Sequence, residues 1–221
     1  VAVGAGADVF VAKNATLAAI DTGAQVKAAR DVQVLAEGST QVLDMGVGLS
    51  AAGTVAVAGS VAVVSLANQT QALVGGGATR IDAGGNVRVA ARDDTKSDVV
   101  AGAAAAGFGA AGIGAAVGVS SITKTTEAAI GGGATVNALG NNTVGMSAYT
   151  GDSVDALRSD ARGVQVEATS SEDLFTVVAS GAAGLYAGIS GAISVESVQS
   201  DTKASVGAAA KINQTNTGAN V

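Results

Sequence analysis

The chain has 221 residues, with 32 Gly, no Pro, Cys, His or Trp, only 2% aromatics and a net charge of −6. This inventory excludes disulfides and thiolate metal sites, zinc sites of the usual kind, imidazole acid–base chemistry and Ser-His-Asp triads; it also argues against nucleic acid, which needs a basic footprint. With 48% hydrophobic and only 14% charged residues the composition is not that of a disordered chain, and a core without aromatic anchors must be thin and filled by Ala, Val, Ile and Thr.

In chain order, the first element is a strand with the figure Thr16-Leu17-Ala18-Ala19-Ile20. The same Thr-x-Ala-x-Ile/Val returns as Thr70/Ala72/Val74, Thr126/Ala128/Ile130 and Thr202/Ala204/Val206. Side chains alternate along a strand, so these twelve residues share one face, expected to be buried. The other face changes freely, through Gln71, Glu127 and Lys203, and is expected to be wet. Between copies come a Val-x-Val-x-Ala strand (Val32 to Ala36, Val87 to Ala91, Val164 to Ala168) and a small-residue turn (Ala51-Ala52-Gly53, Ala105-Ala106-Gly107, Ala182-Ala183-Gly184). Gly/Asn clusters such as Gly75-Gly76-Gly77 and Gly131-Gly132-Gly133 supply the tight corners. Ala78 to Ala83 and Ala134 to Leu139 read as further short strands.

The landmarks step by roughly 20 residues, and such stepping is the mark of a repeat architecture. The prediction is an all-β, right-handed parallel β-helix (a β-solenoid) with coils of about 18–20 residues, with longer Ala/Gly-rich hairpins along one side as an open variant. One continuous solenoid over 1–221 is expected, in cycles of roughly 1–15, 16–69, 70–125, 126–201 and 202–221. Opening at Val1-Ala2-Val3-Gly4, inside a repeat, the sequence reads as an excerpt of a longer repetitive protein. The interval from Thr126 to Thr202 exceeds that from Thr70 to Thr126 by 20 residues. It is read as one extra coil, stacking Val144 on Val164, Met146 on Val166 and Ala148 on Ala168.

Several motifs are set aside. Val99 to Val119 is uncharged and long enough for a membrane helix, but its Gly content and the alternation of its counterparts favour strand pairs. Gly107-Phe108-Gly109-Ala110-Ala111-Gly112 matches a dinucleotide-binding fingerprint without the helix that the chemistry requires. Asp93-Asp94, Asp98, Glu37 and Glu172-Asp173 are read as solvated loop charge rather than a calcium site or the carboxylates of a lyase. The Asn-x-Thr sequons at Asn14, Asn68, Asn141 and Asn213 are read as turn chemistry rather than glycosylation acceptors. No catalytic, cofactor-binding or metal residue is assigned, and the chain is not expected to be an enzyme. An inward Thr row also argues against ice binding.

With the repeat in hand, the series Gly118-Val119-Ser120-Ser121-Ile122, Thr126-Glu127-Ala128-Ala129-Ile130-Gly131, Gly133-Ala134-Thr135-Val136 and the Val-x-Val-x-Ala strand resembles the repeats of very large bacterial surface adhesins. These are the filamentous haemagglutinin-like exoproteins, especially the leukotoxin-type filamentous adhesins. The resemblance implies a right-handed β-helix, export from a Gram-negative cell (often by two-partner secretion, through an outer-membrane partner) and a role in attachment, biofilm or virulence. It implies no site residues. The leading expectation is a stalk segment of a secreted adhesin that presents a site for host or neighbouring-cell glycan or protein. A lateral binding module and, behind it, a polysaccharide-processing β-helix enzyme are the alternatives.

Overall fold

The structure, a computed structural model, describes residues 1–140, 146–149 and 158–214. Among the described residues it is all-β, with 81% in strands and no helix, in parallel sheets of stacked strands consistent with a right-handed parallel β-helix. Each coil has a long strand, a short strand and a second long strand. The first long set, β1 (Ala2–Ile20), β4 (Val55–Val74), β7 (Ala111–Ile130) and β12 (Ala187–Val206), stacks as one parallel sheet. The second long set, β3 (Val32–Ala52), β6 (Val87–Gly107) and β11 (Val164–Gly184), stacks as another. Short strands β2 (Gln25–Ala28), β5 (Arg80–Ala83), β8 (Thr135–Ala138) and β13 (Lys211–Ile212) form the third, narrow sheet.

Each landmark hydrogen-bonds to its own kind. Thr16 pairs with Thr70, Thr70 with Thr126 and Thr126 with Thr202; Val32 pairs with Val87 and Val87 with Val164. A coil therefore runs from Thr16 to Thr70, or Thr70 to Thr126, and is nearly three times longer than the 18–20 residues expected from sequence. The step of about 20 is real, but it is the length of one long strand: β4, β7 and β12 have 20 residues each. Three kinds of landmark are three stations of one coil. The Ala-Ala-Gly stretches lie where β3, β6 and β11 turn into β4, β7 and β12, so the two long strands of a coil face each other from different sheets. They form a flat, two-layered fin, with the narrow sheet closing its base.

The extra length before Thr202 is not an additional coil. Val164, Val166 and Ala168 stack on Val87, Val89 and Ala91, not on Met146 or Ala148, while Val144 lies outside the described residues. Instead β9 (Met146–Tyr149) pairs antiparallel with β10 (Arg158–Ala161), Met146 opposite Ala161. This pairing lies within the insertion, and the coil stack resumes at β11.

Two apolar clusters fill the interior. One, at the base, joins Ala72, Val74, Ala128 and Ile130 to Ile81, Val87, Val89 and Val136. The other fills the fin with Ala56, Ala58, Val64, Leu66, Val99, Ala101 and Ile122. The fin is thin because small residues line it: a Cβ added to Gly48 would lie 1.9 Å from the Gly59 carbonyl oxygen of the opposite sheet. The corner between the first long strand and the short strand takes left-handed backbone at Gly23, Gly77 and Gly133, with φ of 84°, 63° and 77°. In the last coil Ala209 holds that conformation, at φ 59°.

Candidate functional site

A polar layer crosses the interior between the two apolar clusters, and strand parity builds it. The residue two positions before each motif Thr points the same way as that Thr, so Asn14, Asn68, Lys124 and Ser200 stack in one inward row. Opposite them, on the second long sheet, Thr40, Thr95 and Glu172 form one row and Gly38, Asp93 and Ser170 the next.

The rows are cross-linked. Asn14 donates through Nδ2 to Asn68 Oδ1 at 3.1 Å and to Thr40 Oγ1 at 3.2 Å. Asn68 in turn donates to Thr40 and Thr95 at 3.2 and 3.0 Å. Asp93, 3% exposed, accepts from Thr70 at 2.7 Å and Thr95 at 3.0 Å. In the third coil Lys124 takes the Asn place, its side chain fully buried, with Nζ 2.8 Å from Asp93 Oδ1 and 3.1 Å from Glu172 Oε1. The ammonium also donates to the Ser171 carbonyl at 2.9 Å. Glu172 accepts from Ser170 and Ser200 at 2.6 and 2.9 Å. Burial raises its pKa, but these hydroxyls and Lys124 outweigh burial and hold the carboxyl below its ordinary value.

The acidic residues grouped in sequence as solvated loop charge thus divide. Asp93 and Glu172 point inward from the middle of long strands, a correction to the loop reading. Asp94 and Asp98 sit half-exposed on the outer face, and Glu37 and Asp173 are exposed. Asn14 and Asn68 are likewise inside strands, not in turns, because their parity is that of Thr16 and Thr70. Asn213 follows β13 in left-handed backbone, with φ 53°; Asn141 lies outside the described residues.

A second carboxyl pair lies in the fin. Asp44 is 1% exposed, and neither of its oxygens has a hydrogen bond of acceptable geometry. Burial, with Asp8 beside it, pushes its pKa up to about 6, against a weaker opposing pull from the backbone at Val63 and Met45.

The motif residues themselves sit on the inward face. Thr70, Ala72, Val74, Thr126, Ala128 and Ile130 are all buried. Thr16, Ala18 and Ile20 are half-buried in the outermost strand β1, while Thr202, Ala204 and Val206 are exposed in β12. Lys203 is exposed, and Glu127 is half-exposed, accepting from Gln71 at 3.0 Å. The first three copies line the base cluster and the polar layer, whereas the burial expected of the fourth copy is not found, because β12 pairs with β7 alone and has no further strand stacked on it among the described residues. The motif residues converge on no reactive centre.

At its open end, between β1 and β3, the layer forms a cavity of about 590 Å³ lined by Asn14, Thr16, Thr40, Thr70 and Asp93 among others. Asp93 there already accepts from two hydroxyls and pairs with an ammonium. No group of three or more His, Cys, Asp or Glu placed to hold a metal occurs among the described residues, and no helix among them is long and apolar enough to cross a membrane. What the layer does chemically is fix register. A coil slipped by one residue would put Asn68, Asp93 and Lys124 on the outside and break every bond above. The chain matches no protein-family model, and neither the curated proteins nor the solved structures give a match.

Proposed function

We propose that the chain is a stalk segment of a secreted or surface-anchored bacterial adhesin, a rigid spacer that holds a distal binding site away from a Gram-negative cell. The observation that carries this is the coil-on-coil register: identical stations stack over four levels without a break. Such a unit can be extended indefinitely, because each coil contacts only its neighbours. The repeat resemblance to filamentous haemagglutinin-like and leukotoxin-type adhesins supports the same reading, including export by an outer-membrane partner and attachment or biofilm formation through host or neighbouring-cell glycan or protein.

Beads coated with this chain, tested against glycan and matrix-protein arrays, should capture nothing. Removing whole coils from the intact surface protein should shorten the fibre and weaken cell attachment. Saturable capture of a glycan or protein by the isolated chain would replace the stalk with a lateral binding module, and turnover of a polysaccharide would replace both with an enzyme.

A further inference from the structure

We propose that the outer face of the first long sheet, along the fin, is an interface for a second copy of this chain, packed about a two-fold axis parallel to the solenoid axis. In β4 the outward positions of the fin run Val55, Val57, Gly59, Val61, Val63, Ser65, with no charge among them. β7 and β12 repeat this pattern, and β1 keeps the apolar face with Ala7 at the Val61 station. Gly59 pairs with Ala115 and Ala115 with Gly191, so a furrow of small residues runs from coil to coil. Beside it Val61, Val117 and Ile193 make a ridge. The faces are open: Val61 is 39% and Ile193 60% exposed.

Furrow and ridge are self-complementary. A two-fold axis through the row of Ser60 and Ala116 sets position 61 of one copy over position 59 of the other. It then sets 63 over 57, and 65 over 55, so one operation covers the whole apolar stretch. Because the axis is parallel to the stack, both copies present the same 4.8 Å strand spacing and every coil meets a coil.

Size supports this occupant. Positions 55–65 span about 36 Å at ~3.3 Å per residue, and four strands span about 19 Å. Two copies would then bury roughly 1,400 Å², within the range of specific stable interfaces. The outer face of the second long sheet lacks the self-fit. There Leu49 stands beside a hollow of about 530 Å³ lined by Ala104, Ala106, Gly181 and Ala183, with no matching ridge.

The test fills the furrow without adding polarity. A Cβ at Gly59 or Gly191 meets nothing within 4 Å, so Gly59→Leu with Gly191→Leu leaves the fold's own packing intact while blocking the partner's ridge. Sedimentation equilibrium of the whole chain, with far-UV circular dichroism to verify folding, should show a reversible dimer. The double variant should dimerise roughly a hundredfold more weakly, about 3 kcal/mol. Val61→Lys should do the same, and Leu49→Lys on the opposite face should change nothing. A wild-type chain that stays monomeric at high micromolar concentration overturns the proposal. So does a Leu variant that associates as well as or better than the parent, since that would be nonspecific apolar contact. Flotation of a monomeric chain with phosphatidylcholine vesicles would assign the face to lipid instead.

Discussion

Replacing Lys124 and Glu172 together should recover part of the stability that replacing Lys124 alone destroys. In the second coil Asn68 and Thr95 occupy the stations that Lys124 and Glu172 occupy in the third, so Lys124→Asn with Glu172→Thr rewrites the third coil in the chemistry of the second. Lys124→Asn alone strands Asp93 and Glu172 inside without their cation. The lysine side chain is fully buried and that of Asp93 is 4% exposed; breaking such a pair from one side costs about 3–5 kcal/mol. Because Asp93 keeps its Thr70 and Thr95 donors and Glu172 is 23% exposed, the lower end, about 3 kcal/mol, is expected. Glu172→Thr alone leaves Lys124 on Asp93 and should cost about 1 kcal/mol, the worth of the hydrogen bonds lost. The double variant frees the layer of the stranded Glu172 but leaves Asp93 without its ammonium, so it should lie about 2 kcal/mol below the parent, a coupling of roughly 2 kcal/mol, within the range for residues in contact. Urea titrations at neutral pH followed by circular dichroism measure all four corners. Acid adds a check: the carboxyl of Glu172 is held low when folded, so its contribution is present above its ordinary pKa and fades as pH falls toward the folded value. Variants with Glu172→Thr should lose that share of the acid sensitivity. Strictly additive single effects would refute the idea that Lys124 and Glu172 act as one unit across the layer.

Asp44 should behave in the opposite sense. Its carboxyl titrates near pH 6 when folded against 3.8 ordinarily, so the folded chain binds more protons between those values and stability falls as pH rises through that window. Asp44→Val, which continues the row of Val99, should therefore raise the melting temperature at pH 7.5 and flatten the pH dependence; an unchanged profile would contradict the buried carboxyl. Ala209→Gly should stabilise by about 1 kcal/mol by relieving a left-handed alanine, and Gly77→Ala, where an added Cβ meets nothing within 4 Å, should cost a similar amount, both read from urea midpoints. Deleting residues 141–162 leaves Leu139-Gly140-Gly163 between Ala138 and Val164, the same span as Gly84-Gly85-Asn86 between Ala83 and Val87. That chain should melt near the parent temperature, whereas deleting 145–164, which takes Val164 from its stack on Val87, should melt lower.

Much of the fold was legible because strand periodicity is a local property. The Thr-x-Ala-x-Ile/Val and Val-x-Val-x-Ala figures mark strands and their faces, the Gly clusters mark corners, and the scarcity of aromatics demands a thin interior. The same parity also contained the polar layer. Asn68 and Lys124 stand two residues before an inward Thr, and Asp93 shares the parity of Val87, Val89 and Ala91. That signal was present but outweighed by the habit of placing Asn in turns and carboxylates in solvent, a habit that holds only where nothing inside can pair with them.

What the sequence alone determined is which residues are strand, which way each side chain points and which segments are alike. What it could not determine is which like segment lies on which. A spacing of about 20 residues suits a short coil and also suits one long strand of a large coil. Only the pairing of Thr16 with Thr70 rather than with Val32, and of Val164 with Val87 rather than with the inserted hairpin, separates them. Pairing is a long-range choice, decided by cross-strand hydrogen bonds and by the ionic and amide contacts of the layer. It brings together residues 54 to 79 positions apart, as in the Asn14–Asn68 and Arg88–Glu167 contacts, where local periodicity carries no information.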